Sequence, residues 1–353
     1  MSSLKSNSGA TPIRCTVLAS RPDNWDALIK DHHTRTVFHQ SAWLDYLVSI
    51  CPKGQMDFVS IEQRGKVIGY LPLLTVRPVP FLKVAGSSLP LTGAREMGPI
   101  VNLDVDQKEL LHGIMNLCSS QKINHLELST QCLQPELMRQ AGFQVYRSLT
   151  CRLPLPKTVE QAWSAIKSIG RNRIRKAERS GFTVEQVESR DFIDEFYSQF
   201  TASFAERKQV VPYSRDRLEQ MYRHLAPVGN FLGLMLKHQG KPVASGYFLL
   251  DDRTMYLGDY AWRPETLSLC PNELLHWTAI KIAIERGIPV FDSAGSNRFW
   301  EKFNAIEVPT YRFSRSFGPF LRMARNVYGY LLRQPSAAVV LSTRSPFAAR
   351  PTA

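Results

Sequence analysis

Apolar and polar positions along this chain switch between a helical and a strand period, and the sharpest switch lies between Cys270 and Ala305. Leu275, Ala279, Ile282 and Ala283 recur three or four apart, while Trp277, Ile280 and Ile284 fill the opposite side, so the spacing predicts a helix covered on both faces. Pro271 and Asn272 open it, with Asn272 as the expected cap and Glu273 at the positive end of the helix dipole, and Gly287 ends it. Residues 288 to 291 follow as a short buried strand. Asp292, Gly295, Arg298 and Lys302 leave its carboxyl end, where open α/β sheets bind ligands.

The same pattern occurs earlier in the chain. Glu109-Leu-Leu-His112 opens a helical stretch that ends before Ile123 and leads to a strand at 126 to 128, much as Glu273-Leu-Leu-His276 leads to Phe291 and Asp292. Upstream of each lies a predicted hairpin, one at 58 to 74 turning at Gly65-Lys66, the other at 231 to 250 turning at Gly240-Lys241. Two patterns recurring in one order at nearly one separation predict a duplicated domain.

Around these units the chain reads as a first strand at 14 to 19, a short helix at 23 to 31 and a second helix from 38 to 47 capped by Ser41. Residues 78 to 99, rich in Pro, Gly and Ser, are too irregular for regular structure and fit either a substrate loop or a long connection. A helix at 135 to 141 and a strand at 146 to 153 hand over to the second half. That half opens with a helix from Trp163 to Gly181, in which Trp163, Ile166, Gly170, Ile174 and Ala177 form the packing stripe and Arg171, Arg175 and Arg179 the opposite row. Helices at 191 to 206 and 216 to 225, an aromatic strand at 254 to 262 and a closing strand at 309 to 317 complete it.

With 353 residues, 44% hydrophobic and 21% charged, the chain is globular material for two packed domains. The opening residues have no apolar core, and nothing later approaches a membrane-spanning run, so a cytoplasmic protein is expected. Six scattered cysteines make neither a zinc signature nor a disulfide framework, and no metal is expected. The net charge of +13 divides as +3 over residues 1–150, +4 over 151–313 and +6 over 314–353. Since the basic helix holds six cations against Glu178, the excess is confined to that helix and the tail, and a localised anionic partner is implied. The competing reading is a solvated cationic face. Residues 320 to 332 read as a basic amphipathic helix suited to peripheral contact with an anionic membrane.

The order of a basic helix (Arg171 to Gly181), a Gly-Lys-Pro-Val-Ala-Ser-Gly hairpin at 240 to 246, a Tyr-x-Gly strand at 256 to 258, a Pro-Asn-x-Leu-Leu-x-Trp helix at 271 to 277, then Phe291-Asp292, Gly295 and Lys302-Phe303 resembles the Fem-type branch of the GNAT acyltransferase superfamily. It is also similar to BioF-like acetyltransferases linked to envelope polysaccharides. The resemblance implies an α/β protein of two tandem GNAT-like domains, with mixed, mainly antiparallel sheets flanked by helices. Residues 1–12 would be disordered, 13–150 and 151–317 the two domains, and 318–353 the amphipathic helix and tail. It further implies transfer of an acyl or aminoacyl group to an amine, from acyl-CoA or charged tRNA, with no tightly bound cofactor. The acceptor would be a phosphate-bearing small molecule or lipid-linked sugar, such as an envelope or exopolysaccharide precursor. One departure stands out: ordinary GNAT enzymes begin the central helix with an R-x-x-G-x-G/A turn that holds the CoA pyrophosphate, and residues 266 to 272 carry no glycine.

Acyl transfer to an amine needs a base for the amine's proton and donors for the developing oxyanion. Asp292 and Asp259 are the candidate bases, against readings as a loop cap and a strand-edge charge, and Tyr260 is the candidate proton donor to the leaving group. Arg298 with Lys302 is the expected phosphate clamp, a role that the family position of Lys302 supports; Arg171, Arg175, Asn272, Gly295 and Phe303 complete the expected binding set. For His276, the echo at His112 suggests an inherited packing role rather than a base. A non-catalytic nucleic-acid or membrane-surface binder is the reading from another class.

Overall fold

The computed structural model describes residues 11–318 apart from 91 and 188, in two compact units: one of residues to Arg147 together with the segment from Tyr311, the other Ser148–Thr310. The expected disorder of residues 1–12, through residue 10, and the expected amphipathic helix and tail lie outside the described residues.

The first unit runs β1 (Ile13–Val17), α1 (Trp25–Ile29), α2 (Ser41–Ser49), β2 (Gly54–Gln63), β3 (Lys66–Val79), β4 (Leu82–Ser87), β5 (Ile100–Val101), α3 (Gln107–Ser120), β6 (His125–Ser129) and α4 (Pro135–Gln140). The second runs β7 (Gln144–Pro154, entering at Ser148), α5 (Val159–Ala165), α6 (Ser168–Arg179), β8 (Phe182–Gln186), α7 (Asp191–Glu206), α8 (Arg215–Leu225), β9 (Phe231–His238), β10 (Lys241–Leu250), β11 (Thr254–Trp262), α9 (Pro271–Glu285) and β12 (Val290–Asp292). β13 (Ile306–Ser316) ends the chain's described part.

The two sheets share one plan. β1-β2-β3-β4 and β8-β9-β10-β11 are antiparallel meanders, each continued by a parallel neighbour reached across the long helix, β4 with β6 over α3 and β11 with β12 over α9. An antiparallel strand closes each series, β13 on β6 and β7 on β12. Closing strands are exchanged along the chain: the strand following β6 joins the second sheet, and the strand following β12 joins the first. The expected division at 150 and 317 therefore differs from the observed one, because the residues from Tyr311 pair with β6. Both hairpins turn through two residues of positive φ, Arg64-Gly65 (53° and 72°) and Gln239-Gly240 (50° and 77°), one residue earlier than the expected turns. This is the primed turn whose twist matches that of the strands it joins.

Each unit buries its long helix against its own sheet. Leu110, Ile114 and Leu117 of α3 pack with Val59, Leu71 and Leu126, while Leu275, Ala279 and Ala283 of α9 pack with Leu234, Phe248 and Phe291. α9 is buried on both faces, as its pattern predicts. Two expectations about local structure are corrected. Residues 78 to 99 hold the strand β4, paired with β3 and β6, because its ladder and not its Gly-containing sequence stabilises it. The basic helix is two helices: Ile166 and Lys167 are extended (ψ 134° and 152°), and Arg171 reaches back to the carbonyls of Ser164 and Ile166 at the end of α5.

Candidate functional site

β11 and β12 pair for only three positions, Thr254↔Val290, Met255↔Phe291 and Tyr256↔Asp292. β11 then continues to Trp262 while the other chain turns away after Asp292. From Leu257 onward β11 has no ladder partner on that side among the described residues, so its backbone groups face an opening that an extended ligand can pair with. On its other side the ladder with β10 slips between Tyr247 and Phe248. Gly258 sits at this bulge, and a Cβ there would lie 2.0 Å from the Tyr247 ring, so only glycine fits.

The two faces of β11 carry different chemistry. Asp259 is in register with Tyr247, and Tyr213, from the link between α7 and α8, donates its hydroxyl to Asp259 Oδ2 at 2.9 Å and lies 3.3 Å from the Tyr247 hydroxyl. Burial, then the neighbouring Tyr247 and Asp259, push the Tyr213 hydroxyl well above its ordinary range, so it remains a donor. Tyr260, opposite Gly246, faces α9 instead; its ring lies 4.9 Å from His276 and 5.4 Å from Trp262, and burial raises its hydroxyl too.

Below this face stands the start of α9. Cys270 precedes it at φ +64°, taking the left-handed conformation for which glycine is the usual residue. Pro271 is the first helical residue, so Asn272 lies inside the first turn and is not the cap. Glu273, 4% exposed, holds both Lys302 Nζ at 2.5 Å and Arg173 Nη1 at 3.1 Å. Lys302 also sits 4.0 Å above the Phe299 ring. The cationic side chains of Arg173, Lys176 and Lys302 oppose the rise that burial, and next Glu273, impose on the Cys270 thiol, which places all three around the helix start.

The sequence-predicted residues separate into those at the opening and those that hold the fold. Asp292 is 3% exposed with both oxygens engaged, by Thr150 Oγ1 at 2.5 Å, Ala294 N at 2.8 Å and Arg152 Nε at 2.8 Å. A carboxylate so held is a structural clamp and stands poorly placed to collect a proton. Arg171 is spent on backbone carbonyls, and Arg175 lies 5.3 Å over the Trp163 ring. Phe303 is core, packed on Phe299 and Trp300. Gly295 accepts from Cys151 N at 3.3 Å, and the positive φ of this turn falls on Ala294. Of the expected clamp, Lys302 is tied to Glu273 with 11% of its side chain exposed, and Arg298 is exposed; Arg173, on the same carboxylate, keeps 49% of its side chain exposed, and Lys176 is exposed as well. Asp259 and Tyr260 lie on the part of β11 beyond its ladder with β12, and Asn272 lies in the first turn of α9.

Sequence reasoning did not single out Arg152, Arg173 and Tyr213, the partners of Asp292, Glu273 and Asp259. Arg173 looks like any other member of its basic helix, and only the docking of α6 on α9 separates it from Arg175. The echo between His276 and His112 does not extend to environment: His276 is wholly buried, whereas the His112 side chain is 37% exposed. Among the described residues no group of His, Cys, Asp and Glu is placed to hold a metal ion, and no helix is long and apolar enough to cross a membrane.

This arrangement, a bulged meander and a parallel strand diverging over a buried helix, occurring twice, is the tandem GNAT fold. Residues 166–302, within the second unit, match the acetyltransferase (GNAT) domain family. The structure is similar to that of FemX, with a TM-score of 0.70 at 13% identity over 86% of this chain and 97% of that one. It is similar also to L-PGS from Bacillus licheniformis (TM-score 0.51, 13% identity, 93% and 98% of the two chains). A tandem GNAT protein from the clavulanic acid biosynthesis pathway gives a TM-score of 0.51 at 11% identity over 87% and 99%. No curated protein matches the sequence.

Proposed function

We propose that the second unit moves an acyl group from a CoA thioester onto an amine of a phosphate-bearing envelope or exopolysaccharide precursor, with Asp259 as the base. The observation that carries this reading is the divergence of β11 from β12 after Tyr256, beyond which β11 has no ladder partner on that side among the described residues, with Asp259 on one face and Tyr260 on the other. The extended arm of a thioester fits along that edge by backbone hydrogen bonds. Arg173, Lys176 and exposed Arg298 supply the positive rim for phosphates.

In this mechanism the amine nitrogen attacks the thioester carbonyl, a C–N bond forms and the C–S bond breaks. The amine's proton passes to Asp259, directly or through water, and Tyr260 supplies a proton to the departing sulfur. Because the two groups stand on opposite faces of β11, the reacting carbonyl lies over the open edge between them. The Tyr213 hydroxyl holds Asp259 in place.

The test is release of free CoA from acetyl-CoA and longer acyl-CoAs with amino-sugar phosphate acceptors. Asp259→Asn should lower kcat by about 10²- to 10⁴-fold, the usual contribution of a positioned base, with an unchanged melting temperature. A variant as active as the parent would remove Asp259 from the mechanism. Charged tRNA as donor is the competing reading; transfer from it, with none from any CoA ester, would replace the CoA reading.

A further inference from the structure

α6 packs on α9, on the turn of residues 264–269 and on the turn of residues 298–303. Gly170, Ile174 and Ala177 form its buried side. The other sides show Arg173, Arg175, Lys176 and Arg179 to solvent, with Lys167 at the cap and Glu178 as the only acid of the helix. The two neighbouring turns add exposed Arg298 and the exposed acids Glu265 and Glu301, so six exposed cations stand against three exposed acids. Arg175 and Arg179 are one turn apart and repel each other.

Two large apolar side chains rise from the same surface: Ile169 is 56% exposed and Leu267 is 43% exposed. Ile169 lies one turn before Arg173 and two before Lys176, on one side of α6. Arg173 and Lys176 act on the Cys270 thiol, and the Leu267 carbonyl accepts from Cys270 N at 3.1 Å. Both apolar side chains therefore border one cationic field. An RNA backbone would match the charge, but unpaired bases are held by stacking on exposed aromatic rings, and the large apolar side chains here are aliphatic. Aliphatic tips among lysine and arginine fit an anionic lipid surface, where the cations meet headgroup phosphates and the tips enter the acyl boundary.

We propose that this face of the second unit docks on an anionic bilayer, with Ile169 and Leu267 inserted and the α6 cations on lipid phosphates. Docking rests on this surface alone and holds for either acyl donor. It sets the start of α9 beside the lipid surface.

The experiment is co-sedimentation of the full chain with vesicles of phosphatidylcholine alone and with about 30% phosphatidylglycerol added, at low and at high salt. The parent should sediment with the anionic vesicles only, and less as salt rises. Arg175→Gln with Arg179→Gln, both outside the proposed phosphate rim, should weaken that binding about 25-fold, about fivefold for each cation. Ile169→Ser should weaken it about fivefold, for the part of the side chain that leaves water, and should leave binding to polyuridylate unchanged. All these positions are exposed, so the melting temperatures should match the parent's. Equal sedimentation with both kinds of vesicle, or variants that sediment as the parent does, would overturn the proposal; the latter would assign any binding to another part of the chain. Tighter binding of polyuridylate than of anionic vesicles would overturn it in favour of a nucleic-acid partner. Should a variant be unstable, amide hydrogen exchange over residues 164–180 of the parent decides: it should slow on anionic vesicles, and an unchanged rate would overturn the proposal as well.

Discussion

Two histidines, one in each unit, tie the stability of this protein to pH in a range where few other groups titrate. His39 is buried with Nδ1 accepting from Thr36 N at 3.0 Å, and burial lowers its pKa to about 3; His276 is lowered to about 4 for the same first cause. In the unfolded chain both return to the ordinary histidine value. The unfolded state therefore binds the extra protons, so stability is fully present above about pH 6.5 and is lost as pH falls toward the folded values. Going from pH 7 to pH 5, each histidine should cost about 2 kcal/mol, and about 2 kcal/mol is a large part of a domain's stability. Urea denaturation followed by fluorescence at half-unit pH steps measures this directly. His276→Phe should flatten the pH dependence of the second unit's transition and leave that of the first unit as it was. A denaturation midpoint that stays constant between pH 7 and pH 5 would refute the assignment of both rings as buried and neutral.

Two further outcomes follow from the packing around the site. Asp292→Asn breaks the buried pair with Arg152 and should lower stability by about 3 kcal/mol in denaturant melts, while activity per folded molecule falls far less than for Asp259→Asn. Gly170→Ala places a methyl 2.7 Å from Ile166 and 2.9 Å from the Lys302 carbonyl; although alanine favours a helix by about 1 kcal/mol, overpacking should leave a net loss of about 1–2 kcal/mol and a lower melting temperature.

Much of the architecture was legible because its signals are local. The Gly-Lys pairs at 65–66 and 240–241 mark the hairpins to within one residue, since a positive φ must fall on or beside glycine there. The apolar spacing of 274 to 284 predicts a helix buried on both sides, and the repeat of Glu-Leu-Leu-His predicts the second copy of the fold. β4 escaped notice because Leu82–Ser87 has weak strand character of its own and is held by neighbours on both sides. The break at Ile166-Lys167 escaped too, since an arginine capping a preceding helix has no signature distinct from other arginines on a basic face.

The sequence by itself determined most of the element types and the duplication, which rest on period, turn chemistry and motif order. Only the tertiary structure decided which partners each charge has. Asp292 and Asp259 look alike in sequence, yet one is held by Thr150, Arg152 and Ala294 beside β7, and the other is held by Tyr213 on β11 beyond its ladder with β12. Lys302 and Arg173 likewise became partners of Glu273 only because α6 and the 298–303 turn pack against the start of α9. Strand exchange, too, is invisible along the chain: whether the last strand closes its own unit or the other is set by which sheet edge it meets, and local periodicity carries no record of that choice.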